Sequence, residues 1–221
     1  YNVGDQTYQN VIGRFGDGDQ DLIIVGAHYD TCGETPGADD NASAVAGLIE
    51  LARLLGAHPI DKNIELVAYC LEEPPFFRSK NMGSAVHAKS LLENNITIKG
   101  MICLEMIGYF NDRAGSQQYP TTLLKLYYPS RGDFIAVVGR MDQRAFTKKV
   151  KIGMNGVTDL PVRSLNATAN IPGIDFSDHQ NYWKHDWNAV MITDTAFFRN
   201  PNYHAKTDTW NTLNYAKMAN V

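Results

Sequence analysis

The chain has 221 residues, of which 44% are hydrophobic and 20% are charged, so it can bury one large core. The formal net charge of −4 and the lack of a Lys/Arg stripe argue against nucleic acid as a partner. No apolar run approaches the roughly 20 residues that cross a bilayer, so we expect no membrane partner either.

Nothing in the sequence marks a linker, an internal repeat or a low-complexity segment, so we expect one domain over residues 1–221. The chain opens at Tyr1 without Met, which indicates a mature or amino-terminally trimmed form. A secreted or periplasmic location is favoured over the cytoplasm, and the oligomeric state stays open. The three cysteines, Cys32, Cys70 and Cys103, fit no zinc-ribbon spacing and allow one disulfide at most.

Apolar runs typical of buried strands alternate along the chain with segments of helical periodicity. The predicted strands are 21–27, 63–70, 99–106, 134–139, 160–165 and 188–193, and the predicted helices are 41–57, 84–93, 141–151, 177–185 and the tail from 212. The alternation predicts an α/β fold, a three-layer sandwich with a central mixed, mainly parallel sheet flanked by helices. Residues 111–131 contain three tyrosines and two prolines, and we expect this excursion to form a lid.

Polar side chains cluster where the predicted strands end. Ligands of open α/β sheets gather at the carboxyl ends of the strands, so these side chains are expected to meet at one edge. Several carboxylates at one edge would repel each other, and bound divalent cations would remove that conflict. Zn²⁺ accepts both imidazole and carboxylate ligands. The residues in question are His28, Asp30, Glu72, Glu73, Glu105, Asp194 and, in the following loop, His204.

The adjacent residues Glu72 and Glu73 can take different chemical roles, because neighbouring side chains in an extended backbone point to opposite sides. One glutamate can bind a metal ion while the other takes a proton from water and later gives it to a leaving amine. The alternative is a solvated charged turn before Pro74–Pro75, and the nearby His28 and Asp40 argue against it.

Five motifs in order resemble peptidase family M28, the co-catalytic zinc aminopeptidases. They are IVGAHYD at 24–30, PGADDNAS at 36–43, EE at 72–73, EMIGY at 105–109 and YHAKTDT at 203–209. The resemblance extends from about residue 21 to about residue 213. It implies a zinc-exopeptidase-like fold and two zinc ions in the chain.

The resemblance also implies a ligand set. Asp40 would bridge the two ions, with Asp39 as the fallback. Glu73 would join His28 on one ion, and His204 would join Glu105 on the other. The family usually carries Asp where Glu105 stands. The longer side chain of Glu105 would change either the distance between the two metal ions or the occupancy of their sites.

By the same resemblance, Glu72 would be the general base and Asp30 would orient His28. Asp208 lies four residues after His204 and is expected to fix its loop through hydrogen bonds. For Asp194 a structural role is preferred over a functional one.

The function expected from this resemblance is hydrolysis of N-terminal residues from peptides with a free N-terminus. The first alternative is a glutaminyl cyclase, which shares the scaffold and forms N-terminal pyroglutamate with effectively one catalytic zinc. The second is a binding domain without catalysis, and the complete ligand set argues against it. Five further residues are candidates for substrate contact: Asp178 near the free amine, His179, and Phe76, Phe77 and Tyr109 as apolar walls.

Overall fold

The computed structural model describes residues 1–16, 21–58 and 60–221, and the undescribed positions carry no predicted element or site residue. The strands are β1 (Asn2–Val3), β2 (Gln6–Thr7), β3 (Val11–Phe15), β4 (Leu22–His28), β5 (Ile64–Tyr69), β6 (Ile98–Glu105), β7 (Ile135–Arg140), β8 (Val162–Ala167) and β9 (Ala189–Thr193). The α-helices are α1 (Ala44–Ala57), α2 (Gly83–Glu93), α3 (Arg144–Met154), α4 (His179–Trp183) and α5 (Tyr215–Met218).

Within the described residues, seven strands form one sheet in the order β3-β5-β4-β6-β9-β7-β8, while β1 and β2 pair as a separate hairpin. Neighbouring strands are parallel except for β3 against β5 and β7 against β9. The predicted mixed, mainly parallel sheet is therefore confirmed. The central strands are apolar on both faces because helices cover both faces.

Two apolar cores lie on opposite faces of the sheet and complete a three-layer arrangement. One core packs helices α1 and α3 against the sheet through Leu48 and partly buried Phe146. The other packs α2 and α4 through Leu91 and Tyr182. This confirms the predicted sandwich with flanking helices. None of the helices in the described part of the chain is long and apolar enough to cross a membrane.

Some elements differ from the sequence prediction. Strand β3 was missed, because it is an edge strand whose Val11 and Ile12 are exposed and so lacks the apolar run of a buried strand. The α-helix predicted from residue 41 begins at Ala44, because residues Ala38–Ser43 form an irregular π-type turn instead. The three cysteines are free thiols.

The sheet order places the ends of β5, β4 and β6 side by side. All three strands are parallel, so their carboxyl ends meet at the same edge. The segments that follow them carry most of the predicted polar residues. This edge holds the candidate site.

Candidate metal centre

His28 and Glu105 close two neighbouring strands. In the pairing of β4 with β6, Gly26 lies opposite Cys103, so His28 and Glu105 follow two residues later on the same face. Their side chains meet with 3.4 Å between His28 Nε2 and Glu105 Oε2. Both residues are buried. The parallel register alone therefore brings this pair together.

Asp40 stands between two histidines. Its Oδ1 lies 3.3 Å from His28 Nε2, and its Oδ2 lies 3.2 Å from His204 Nε2. Asp39 is turned away, since its carboxylate accepts hydrogen bonds from the Gly108 amide and the Asn200 side chain. Of the two aspartates, Asp40 is the one placed to bridge two ions.

The contacts of Glu73 correct the predicted pairing. Glu73 Oε2 lies 3.3 Å from His204 Nε2, so Glu73 belongs with His204, and His28 belongs with Glu105. The physical reason is the sheet register. Tyr69 of β5 pairs with His28, so Glu73 lies four residues beyond that point and reaches the loop of His204 instead. The site thus consists of two half-sites that share Asp40.

The donor set fits zinc. Two ligand atoms each about 2.1 Å from a tetrahedral zinc ion are about 3.4 Å apart. The four contacts above span 3.2–3.4 Å, which is at or beyond the usual upper end, about 3.2 Å, for an N–H···O hydrogen bond. In addition, Glu73 Oε1 is buried without a hydrogen-bond partner among the described residues. A cation would satisfy that oxygen.

The charges of the site perturb its pKa values strongly. Burial raises the pKa of Asp40, but hydrogen bonds to His204 and His28 and their charges outweigh it and lower the pKa to about 2. Burial lowers the pKa of His204, yet Asp40 and Glu73 raise it to about 10. The pKa of His28 is likewise raised well above its usual value, because Glu105, Asp30 and Asp40 outweigh burial.

Glu72 differs from the other carboxylates. Burial raises its pKa well above the usual value, helped by the charges of Glu105, Asp178 and Glu73, and His28 only partly offsets this. Its Oε2 lies 3.9 Å from His28 Nε2, farther than any of the four contacts between the ligands. Glu72 therefore lies beside the ligands and is available to carry a proton.

Asp30 holds His28 and the glutamate pair at once. His28 Nδ1 donates to the backbone carbonyl of Asp30 at 3.0 Å, which leaves Nε2 free to face Asp40 and Glu105. The Asp30 carboxylate accepts from the amides of Glu72 and Glu73 at 3.2 and 3.0 Å. Asp30 thus orients the ring chiefly through its main chain, whereas its carboxylate fixes the backbone after β5.

Two further side chains support the ligands. Ser177 Oγ donates to Glu105 Oε2 at 2.6 Å, which fixes the longer glutamate arm. In the sequence, this position was marked by nothing more than the predicted start of a helix at residue 177. Asp208 accepts from the backbone amides of Asp39 and Asp40, at 3.0 and 3.1 Å for the shorter contacts. The Asp208 carboxylate thereby fixes the loop of Asp40, whereas in its own loop the Asp208 amide bonds, donating to the Ala205 carbonyl at 3.0 Å.

Strained backbone surrounds the ligands. Leu71 before Glu72, Met106 after Glu105 and His204 itself have φ values of 60°, 49° and 53°. Non-glycine residues in this left-handed region cost roughly 1–3 kcal/mol each, and they persist where surrounding structure holds them. Such positions concentrate at functional sites, and no sequence pattern predicted them.

Two cavities open at the site. One is lined by ligand residues together with Glu72, Phe77, Phe176 and Tyr203, and its empty space, counted with the part open to solvent, is about 560 Å³. The other shares Glu105, Phe176 and Tyr203 with it and continues between mainly apolar walls. It is the larger on the same count, at about 840 Å³. The excursion 111–131 supplies part of the larger cavity's lining: Gln117, Gln118, Tyr119, Pro120, Leu124 and Tyr128.

Of the candidate substrate residues, Phe77 lines the smaller cavity, and the other four line neither. Asp178 and His179 are fully buried. The His179 ring donates from Nε2 to the Ile174 carbonyl at 2.8 Å, and its Nδ1 has no hydrogen-bond partner among the described residues. Phe76 packs against Tyr8, because the turn after Pro75 directs Phe77 rather than Phe76 inward.

Known proteins show similarity over nearly the whole chain. The model of peptidase family M28 matches residues 10–221. The Escherichia coli K12 protein YfbL is 54% identical over 97% of this chain and 68% of its own length. Aminopeptidase YwaD of Bacillus subtilis is 33% identical over 53% of this chain and 26% of its own length.

Solved structures share the fold. The LapA aminopeptidase of Legionella pneumophila superposes with a TM-score of 0.76 at 23% identity, over 99% of this chain and 53% of its own. A glutaminyl cyclase of Bacteroides thetaiotaomicron superposes with a TM-score of 0.65 at 16% identity, over 96% of this chain and 73% of its own. The chain therefore spans about half the length of the Legionella aminopeptidase.

Proposed function

The chain belongs to peptidase family M28, and from that premise we propose that it is a zinc-dependent aminopeptidase. One observation carries the proposal: the carboxylate of Asp40 lies between two half-sites, each completed by one histidine and one glutamate. A shared carboxylate between two histidines is the arrangement that a two-metal hydrolase needs.

His28, Asp40 and Glu105 would hold one zinc ion, and Asp40, Glu73 and His204 would hold the other. When bound, such ions act as Lewis acids that polarise the scissile carbonyl and make water more acidic. Proton transfer and substrate binding are then carried out by side chains of this chain.

Glu72 is the proton carrier in this proposal. It lines the smaller cavity, and its carboxylate is buried next to the ligands. There it takes the proton of the attacking water on a carboxylate oxygen and passes it to the nitrogen of the leaving amine. Burial and the neighbouring carboxylates raise its pKa above the usual value of a glutamate, which makes it a stronger base towards water.

The substrates we propose are peptides with a free N-terminus and a bulky apolar first residue. The α-amine is a cation, and the site offers it an excess of buried carboxylates. The side chain next to it would enter the larger cavity past Phe176 and Tyr203, which border both cavities.

The test is a panel of aminoacyl chromogenic substrates measured with and without a chelator, for the parent protein and for Glu72→Gln. We expect the chelator to abolish activity and zinc to restore it. Glu72→Gln should retain both zinc ions and lose about 10²–10⁴-fold in kcat. Glu50→Gln is the matched control, since Glu50 is exposed and pairs with Arg53 on helix α1. Activity that resists the chelator, or an undiminished Glu72→Gln enzyme, would refute the mechanism.

Metal stoichiometry separates this proposal from a glutaminyl cyclase. The second half-site, with Glu73 and His204, supports a peptidase that uses two ions. Peptide hydrolysis at two zinc ions per chain is the expected result. Full cyclisation of an N-terminal glutamine at one zinc per chain would favour the cyclase instead.

A further inference from the structure

Cys32 lies at the edge of one half-site. It belongs to the loop that runs from β4 to Asp40, where a turn holds it: the amide and hydroxyl of Thr35 donate to the Cys32 carbonyl at 3.1 and 2.9 Å. Its sulfur, a carboxylate oxygen of Glu73 and a ring nitrogen of His204 all lie within 4.8 Å of one another. The same loop therefore delivers a carboxylate and a thiol to this half-site.

An independent observation points to a ligand at this place. Glu73 is only 4% exposed, and its Oε1 has no hydrogen-bond partner among the described residues. A buried carboxylate oxygen without a partner is costly unless it is paired or coordinates a cation. Glu73, which carries this oxygen, belongs to the same half-site as the thiol and His204.

The two half-sites differ in their number of ligands. His28, Asp40 and Glu105 form one set of three, and Cys32, Glu73 and His204 form another, which Asp40 joins through its contact of 3.2 Å with His204. Structural zinc sites close with four protein ligands, and catalytic zinc sites keep one position open. Thiolate sulfur is also a good zinc ligand.

We propose that Cys32 is a fourth protein ligand, as its thiolate, of the zinc ion held by Asp40, Glu73 and His204. On coordination the thiol proton leaves to solvent, and no oxidation is involved. The position open to water and substrate then lies on the His28 and Glu105 side. The soft sulfur favours zinc or cobalt over magnesium or manganese at the His204 side. This inference rests on the proposed two-metal function and assigns different roles to its two ions.

The test uses cobalt(II) as a spectroscopic probe. The metal-free protein is titrated with cobalt(II) chloride, and the near-ultraviolet absorption is followed for a sulfur-to-cobalt charge-transfer band. We expect the band in the parent protein and in Cys70→Ala, and its loss in Cys32→Ser. Cys70 is a matched control because it is a free thiol that contacts Tyr1 and Asn10.

Two measurements accompany the spectrum. The first is competition for zinc with a chromogenic chelator. In Cys32→Ser the zinc affinity of one of the two sites should fall by at least about tenfold, since even groups that only support the ligands contribute about 10–100-fold to metal affinity. Mass spectrometry after iodoacetamide treatment should show that zinc slows alkylation of Cys32 in the parent protein. This second measurement needs no variant and so does not depend on how Cys32→Ser folds.

The outcomes separate this inference from the proposed function. Two bound cobalt ions without the charge-transfer band, or a band that persists in Cys32→Ser, would overturn the role of Cys32 while a zinc-dependent peptidase activity still stood. Absence of any cobalt or zinc binding would overturn both. Zinc that leaves the alkylation rate of Cys32 unchanged would also count against coordination.

Discussion

The clearest single perturbation of the site is Asp208→Asn. The Asp208 carboxylate is 1% exposed and accepts from the amide of Asp39 at 3.0 and 3.2 Å and from that of Asp40 at 3.1 Å. Asparagine has the same shape but offers only one acceptor oxygen. With its oxygen in the place of Oδ2 the asparagine keeps the contacts at 3.2 and 3.1 Å, but its NH₂ group then faces the Asp39 amide at 3.0 Å, donor against donor.

The size of the effect follows from these contacts. A hydrogen bond to a charged group contributes about 1.5–3 kcal/mol, and the Asp39 amide loses the shorter of its two, so the metal-free protein should lose about that much free energy of unfolding. Asp40 is common to both half-sites, so its displacement should weaken zinc at both of them. Loss of a supporting partner typically reduces metal affinity by about 10–100-fold.

Urea unfolding in the presence of a chelator measures the first effect, and zinc competition with a chromogenic chelator measures the second. Asp142→Asn is the control, because Asp142 is exposed and pairs with Arg140 at the surface, a contact worth about 0–1 kcal/mol. The reasoning about Asp208 fails if the variant binds both zinc ions as tightly as the parent and unfolds at the same urea concentration.

Two other outcomes are expected. Although burial lowers the pKa of His28 and His204, neighbouring carboxylates raise both, that of His204 to about 10, so the His204 ring is protonated near pH 7 without metal. Zinc affinity of the half-site with His204 should therefore fall as the pH falls below about 10. Calorimetry in buffers of different ionisation enthalpy should show at least about one proton released as this half-site fills, whereas binding without proton release would contradict this view. Val138→Phe should narrow the larger cavity, which Val138 lines, and lower kcat/KM for a leucyl substrate about tenfold more than for an alanyl substrate. Equal losses for both substrates would show that the first side chain binds elsewhere.

The sequence predicted most of the fold because buried parallel strands and amphipathic helices have strong patterns. The apolar run before His28 is an example, since strands covered on both faces must be apolar throughout. Strand β3 was missed for the opposite reason. Its side chains at Val11 and Ile12 meet solvent, so neither alternation nor an apolar run marks it.

The sequence by itself also determined which residue types meet at the site, because strand ends, and the loops that follow them, converge at one edge of a parallel sheet. It left open which of Asp39 and Asp40 faces the histidines, and it paired Glu73 with the wrong histidine. Those points depend on register and on side-chain direction across the sheet. Contacts between distant parts of the chain, such as Asp208 with the amide of Asp40 or Cys32 with His204, arise only when the loops pack together. No local pattern encodes them, so only the tertiary structure decided them.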